Sequence, residues 1–218
     1  MENSYILKVK NLQKNFNKKV VLKNISFEVK KGFVFSIVGP SGSGKSTLSK
    51  IILGLEKPDT GEILYKGTPI KTLLRKNKKK FRKEVQIVLQ NSASSFNPRH
   101  KIKNILKEPF IFHKIKYSEE KIIEILKQVG LDESFLNRYP DEMSGGQRQR
   151  IAIARVLVLK PDLLILDEIL RGLDISLQGQ VIDLILKLKE EYGFTLIFIS
   201  HNKKIVEFIS DEIFEIRN

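Results

Sequence analysis

The chain has 218 residues, 41% hydrophobic and 29% charged, a balance that excludes a disordered segment and fits a globular protein of one domain. It contains no cysteine, which excludes a disulfide framework and a thiolate metal site. The formal net charge is +14, but the lysines are spread along the whole chain, so the charge reads as solvated faces and no nucleic acid is expected. The one dense block, Arg75–Lys83, lacks interleaved aromatics and predicts an exposed helix face. The residues from Met1 to Ile6 carry no basic region followed by an apolar core, so no signal peptide is expected. No apolar run approaches the ~20 residues that cross a bilayer.

In chain order, Val20–Val29 alternates partially and predicts a strand. Phe33–Val38 (FVFSIV) is an apolar run closed by glycines, the pattern of a buried strand. Helical spacing follows over Ser46–Leu55, with Leu48, Ile51, Ile52 and Leu55 on one face. Glu84–Leu89 predicts another strand, and Asn91–Arg99 a loop rich in Ser, Asn and Pro. Ser118–Val129 predicts an amphipathic helix stopped by Gly130. Pro140–Gly146 breaks the pattern before a helix over Gln147–Leu159. Leu163–Leu166 is an apolar strand stub, Leu177–Tyr192 a long helix stopped by Gly193, and Phe194–Ser200 a last buried strand. Strands alternating with helices predict an α/β fold with a mainly parallel central sheet. The stretch from about 91 to 146 is mostly helical and predicts an inserted lobe.

Gly39-Pro40-Ser41-Gly42-Ser43-Gly44-Lys45-Ser46 fits G-x-x-x-x-G-K-[ST] in full, between a strand and a helix. The glycines let backbone N–H groups turn onto phosphate oxygens, and the following helix points its positive end there. Lys45 is expected to reach the β- and γ-phosphates of a nucleotide, Ser46 to ligate Mg²⁺, and Thr47 to touch the α-phosphate. Asp167 and Glu168 end an apolar strand, where buried acids are costly unless a cation or substrate compensates. Asp167 is the candidate to support Mg²⁺ and Glu168 to polarise the attacking water. Gln90 and His201 also stand at strand ends. Gln90 is a candidate for the metal or water, and His201 for the γ-phosphate. His100 and His113 have no such context and read as surface or packing residues.

Ser144-Gly145-Gly146-Gln147 opens a second helix with a serine and two glycines. That gives one chain two phosphate-binding elements far apart in sequence. A nucleotide sandwiched between two chains accounts for both. At this point the sequence resembles the ATP-binding-cassette (ABC) ATPases. Ser144–Gln147 matches their signature, with Met143 where Leu is usual. The remaining motifs follow in family order: Phe16 where an aromatic stacks on adenine, the phosphate loop, Gln90, Asp167-Glu168, Asp174 and His201. The resemblance implies a P-loop fold of the ABC ATPase type, with an N-terminal antiparallel β subdomain and a helical subdomain inserted at about 91–150 in a single domain, 1–218. It implies a head-to-tail dimer in which Ser144, Gly145 and Gly146 complete the partner's site and Asp174 lies in the loop crossing between sites. The family commonly has Pro-Thr-Ser-Ala-Leu-Asp after the glutamate, where this chain has Ile169-Leu170-Arg171-Gly172-Leu173-Asp174. Arg171 replaces a small polar residue there.

Gln90–Arg99, Ile105–Pro109 and Leu173–Gln178 look like the corresponding segments of peptide and nickel importer ATPases. This implies the ATP-hydrolysing subunit of a bacterial importer for peptides, nickel or a metal–chelator complex, at the cytoplasmic face of the membrane. The implied partners are a second ATPase subunit, identical or not, two membrane permeases and an extracytoplasmic substrate-binding protein. The alternatives are an exporter ATPase made as a separate chain and a non-transport ABC ATPase.

Overall fold

The computed structural model describes residues 4–17, 19–90 and 96–216. They group into two compact units. The first is built from Met1–Gln86, Asp162–Glu168 and Phe194–Asn218; the second from Ile87–Pro161 and Ile169–Gly193.

The first unit holds an antiparallel sheet of β1 (Tyr5–Phe16), β2 (Lys19–Lys30), β4 (Thr60–Tyr65) and β5 (Thr68–Pro69), in the order β2-β1-β4-β5. The other sheet has the order β6-β7-β8-β3-β9, from β3 (Val34–Val38), β6 (Val85–Leu89), β7 (Leu163–Asp167), β8 (Thr195–Ile199) and β9 (Glu212–Glu215). Its edge strand β6 begins in the first unit and continues into the second. Within this sheet, β7 with β8, β8 with β3 and β3 with β9 pair in parallel. Every residue of β3, β7 and β8 is buried. Strands covered on both faces need apolar side chains at successive positions, which is why these three read as continuous apolar runs. Phe27 of β2 stacks on Phe35 of β3 at 5.0 Å and meets the ring of Phe214 of β9, tilted by 41°, at 4.9 Å.

The sequence pattern extends the first helix to Leu55, but α1 (Lys45–Ile52) stops earlier and Leu55 is 61% exposed. Gly54 adopts a left-handed φ of 66°, so Gly54 N–H bonds to Ile51 O and Leu55 N–H to Lys50 O. This paired closure turns the chain off the helix and carries Leu55 away from the buried face. The basic block is not one helix face either. It divides at Asn77 between α2 (Ile70–Lys76) and α3 (Lys78–Glu84), and Phe81 turns inward against Tyr65. A further helix, α8 (Lys203–Ile209), precedes β9.

The second unit is helical: α4 (Ile102–His113), α5 (Glu119–Gln128), two short 3-10 turns at Glu133–Asn137 and Pro140–Glu142, α6 (Gly145–Leu157) and α7 (Ile175–Tyr192). Ile102, Ile105, Leu106 and Phe110 of α4 and Ile122, Ile125 and Leu126 of α5 are buried at helical spacing. Ser118 caps α5 by accepting from Lys121 N–H. No helix among the described residues is long and apolar enough to cross a membrane.

Candidate nucleotide site

The strand register sets the site. Ile37 of β3 pairs with Ile199 of β8, and Ile199 with Asp167 of β7. Three adjacent parallel strands therefore end in one row. Gly39, Glu168 and His201 leave the sheet within two residues of it, at the carboxyl edge where open parallel sheets bind ligands.

The loop from Gly39 to Ser46 is held in shape by contacts that only glycine allows. Gly44 has φ 93°, and a Cβ there would lie 2.7 Å from Val21 O and from Leu22 Cδ2. A Cβ on Gly39 would lie 2.7 Å from Ser43 Oγ and 3.0 Å from Ile216 O. Ser43 N–H donates to Pro40 O at 3.2 Å, which tightens the turn. Lys45 begins α1, is 7% exposed, and its ammonium donates to Gly39 O at 2.9 Å and Pro40 O at 3.0 Å. Ser46 is exposed and Thr47 half-buried at the start of the same helix.

The acids face this loop. Glu168 Oε1 lies 3.7 Å from Lys45 Nζ, and His201 Nδ1 donates to Glu168 Oε2 at 2.6 Å. Glu168 has φ 53°, a left-handed conformation that L side chains adopt at a cost, and its N–H is fixed on Ile199 O at 3.0 Å. Asp167 is 3% exposed. Burial pushes its carboxyl above the usual carboxylate range; the adjacent Glu168 adds to this, while Ser46, Lys45 and Ser49 oppose it. Asp167 Oδ1 and Ser43 Oγ are buried with no hydrogen-bond partner among the described residues. A buried carboxylate oxygen without a partner, beside the Ser46 hydroxyl and an ammonium, has the hard oxygen chemistry that Mg²⁺ takes.

The first unit thus brings together Gly39–Thr47, Asp167, Glu168 and His201, and it also carries Phe16 at the end of β1, 42% exposed. Gln90, Ser144–Gln147 and Asp174 belong to the second unit. Gln90 is exposed just past β6, and residues 91–95 of the segment after it lie outside the described residues. Ser144 caps α6. Its hydroxyl accepts from Gln147 N–H at 3.2 Å, and Gln147 Oε1 accepts from Ser144 N–H at 2.9 Å. This cap moves the helix start to Gly145, two residues before the sequence pattern places it. Gly146 is pressed against Leu177 of α7, where a Cβ would stand 2.8 Å from Cδ2. Gly145 has open space around its Cα. Asp174 caps α7 by accepting from Leu177 N–H at 2.8 Å, a role that sequence reasoning missed. It also missed Ser49, fully buried one turn after Lys45, whose hydroxyl donates to Lys45 O at 3.1 Å and which stands beside Asp167. A polar residue on the apolar face of α1 was the available signal.

Residues 22–171 match the family described as ABC transporter. The chain belongs to the ABC transporter family. The matched stretch includes the phosphate loop, Gln90, the signature and the acid pair. Among curated ABC relatives, the oligopeptide transport ATP-binding protein AppF of Bacillus subtilis is 48% identical over 193 residues, 87% of this chain and 59% of its own. The nickel import ATP-binding protein NikE of Escherichia coli is 43% identical over 190 residues, 86% of this chain and 71% of its own. The chain spans about three-fifths of the length of the first of these relatives. Among solved ABC structures, the ATP-binding cassette MJ0796, a dimer in a post-hydrolysis state with ADP and Pi, superposes with a TM-score of 0.83. It is 32% identical, with 97% of this chain and 94% of that one covered.

Proposed function

We propose that this chain is the ATP-hydrolysing motor subunit of a bacterial ABC importer for peptides, nickel or a metal–chelator complex. The observation that carries the ATPase reading is the common edge of β3, β7 and β8, from which phosphate loop, acid pair and histidine all emerge. The importer reading is supported by relatives that are named for oligopeptide and nickel transport. We read the two units as one cassette, 1–218, with a helical subdomain inserted at about 91–150.

In this reading the exposed backbone of Pro40–Gly42 and the N–H groups opening α1 bind the phosphates of ATP. The Lys45 ammonium exchanges its bonds with Gly39 O and Pro40 O for phosphate oxygens. Thr47 takes the α-phosphate, and Phe16 stacks on adenine. Ser46, Asp167 and Gln90 are the residues that would hold Mg²⁺, which supplies positive charge to the phosphoryl group in transfer. Glu168 orients a water and takes its proton as the water oxygen bonds to the γ-phosphorus. The β–γ bridging oxygen leaves with the electron pair on ADP. His201, bonded to Glu168 in the free chain, fixes that carboxylate and reaches the γ-phosphate. Ser144, Gly145, Gly146 and Gln147 of a second ATPase subunit, identical or not, close over the nucleotide, and Asp174 lies between the two sites. The ATPase pair lies at the cytoplasmic face of the membrane, and two membrane permeases and an extracytoplasmic substrate-binding protein complete the assembly.

The test is ATP turnover by the purified chain beside Glu168→Gln. Loss of the base should lower turnover by about 100-fold or more while ATP binding persists. Parental turnover in that variant would show that Glu168 is not the base.

A further inference from the structure

Lys14 is a lysine that the strand pattern does not explain: only 8% exposed, near the end of β1. Its ammonium donates to Lys57 O at 2.8 Å and lies 2.7 Å from Glu56 Oε1 and 3.6 Å from Asp59 Oδ1. The same ammonium stands 4.9 Å from the centre of the Phe16 ring. We propose that Lys14 is a positioning residue for the nucleobase, clamped by the loop that leaves α1 and holding the Phe16 ring as the stacking platform. The inference rests on the ATP reading above.

Three observations carry it. First, the clamp is built from both sides of Lys14: Asp59 N–H donates to Gln13 O at 2.9 Å, and Asp59 Oδ2 accepts from Asn15 N–H at 2.7 Å. Buried, within hydrogen-bond distance of Lys57 O and Glu56 Oε1 and facing the Asp59 carboxylate at 3.6 Å, the ammonium has a fixed position. Second, a cation over an aromatic face is attracted by the ring quadrupole, so a fixed Lys14 fixes the ring of a half-exposed phenylalanine that has no other ring partner among the described residues. Third, the platform is next to the phosphate loop. Asn15 pairs with Val20 and Phe16 with Lys19, and the following Val21 and Leu22 close on Gly44. Helix α1 starts at the phosphate-loop lysine, and its exit loop carries Glu56 and Asp59. One rigid helix of about 12 Å therefore sets the spacing between the phosphate seat and the base platform. Hydrogen bonding to Glu56, above all, raises the Lys14 pKa despite burial, so the cation persists at neutral pH.

The test compares equilibrium binding of ATP and of inorganic tripolyphosphate, which has no base, to the full chain and its variants. Lys14→Met should weaken ATP roughly three- to tenfold and leave tripolyphosphate unchanged. Lys14→Arg should stay within about twofold of the parent, because the cation is kept. In a Phe16→Ala background the Lys14→Met loss should vanish. Equal losses for both ligands, or an undiminished loss without Phe16, would overturn the proposal and leave Lys14 a packing residue. If Phe16→Ala alone leaves ATP affinity unchanged, the stacking reading itself fails, an outcome separate from failure of the Lys14 clamp. Should Lys14→Met not fold, Glu56→Gln loosens the same ammonium. It should weaken ATP about twofold with tripolyphosphate unaffected, and no change would overturn the clamp.

Discussion

The two units carry their functional residues in opposite states. In the first, polar groups at the strand edge are unfinished: Asp167 Oδ1 and Ser43 Oγ have no hydrogen-bond partner among the described residues, and Glu168 stands at a left-handed φ of 53°. In the second, the signature residues already satisfy one another. Ser144 and Gln147 exchange two hydrogen bonds, Gly146 is filled by Leu177, and Asp174 caps α7. One buried exception is Gln149 Nε2, without a partner among the described residues. The difference teaches that the first unit holds its groups for something that arrives, while the second presents a finished helix end. Strain and orphaned polar atoms are retained where a ligand compensates them. The phosphate loop is also held by close backbone contacts, so substitutions that crowd it should lose function and stability together, while those at the helix end in the second unit should separate the two.

The largest effect expected is at Gly44. Gly44→Ala forces a Cβ into the left-handed region and to within 2.7 Å of the Val21 carbonyl, a backbone atom that yields little. The two penalties sum to about 3 kcal/mol. For a chain of this size that lowers the thermal midpoint by roughly 6–12 °C. ATP binding should be lost with it. A variant that melts at the parental temperature would mean that the loop is not held by β2.

A middle-sized effect separates the units by pH. Tyr65, in the first unit, has its phenol pushed far above the ordinary value by burial and then by the carboxylates of Glu84 and Asp162, to which its hydroxyl donates. Tyr192, in the second unit, is also raised by burial, but its hydrogen bond with Gln128 pulls the other way. Above pH ~10 an unfolded tyrosine releases a proton that folded Tyr65 keeps. The unfolded state then binds fewer protons, so stability falls as pH rises, by up to about 1.4 kcal/mol per pH unit. Tyr65→Phe should flatten the alkaline limb of the melting curve while Tyr192→Phe does less. Equal slopes in both variants would erase this contrast.

Legibility in the sequence followed the same physics. β3, β7 and β8 are buried on both faces, so their composition alone marks them, and the phosphate loop needs its glycines in fixed order. β1 escaped the pattern reading because its 12 residues mix six charged or amide side chains with apolar ones and its register is broken by bulges, with Asn11 at φ 48°. α4 was obscured by Pro109 inside the helix. Lys14 was invisible because Glu56 and Asp59 are more than 40 positions away, and only folding makes a cluster of them.

The smallest effect expected is the sharpest test of the contrast. Gly145 opens α6 with no atom near the position a Cβ would take, and its φ is not left-handed. Gly145→Ala removes conformational freedom from the unfolded chain without strain, so the free chain should gain about 0.5 kcal/mol, or roughly 1–2 °C. If the signature lies against nucleotide bound to a second subunit, the same methyl group narrows that approach. ATP-driven dimerisation should weaken in a chain that has become more stable. Stabilisation with unchanged dimerisation would leave Gly145 a helix residue and move the approach elsewhere on α6. Destabilisation of the free chain would mean that the end of α6 is no more finished than the edge of β7.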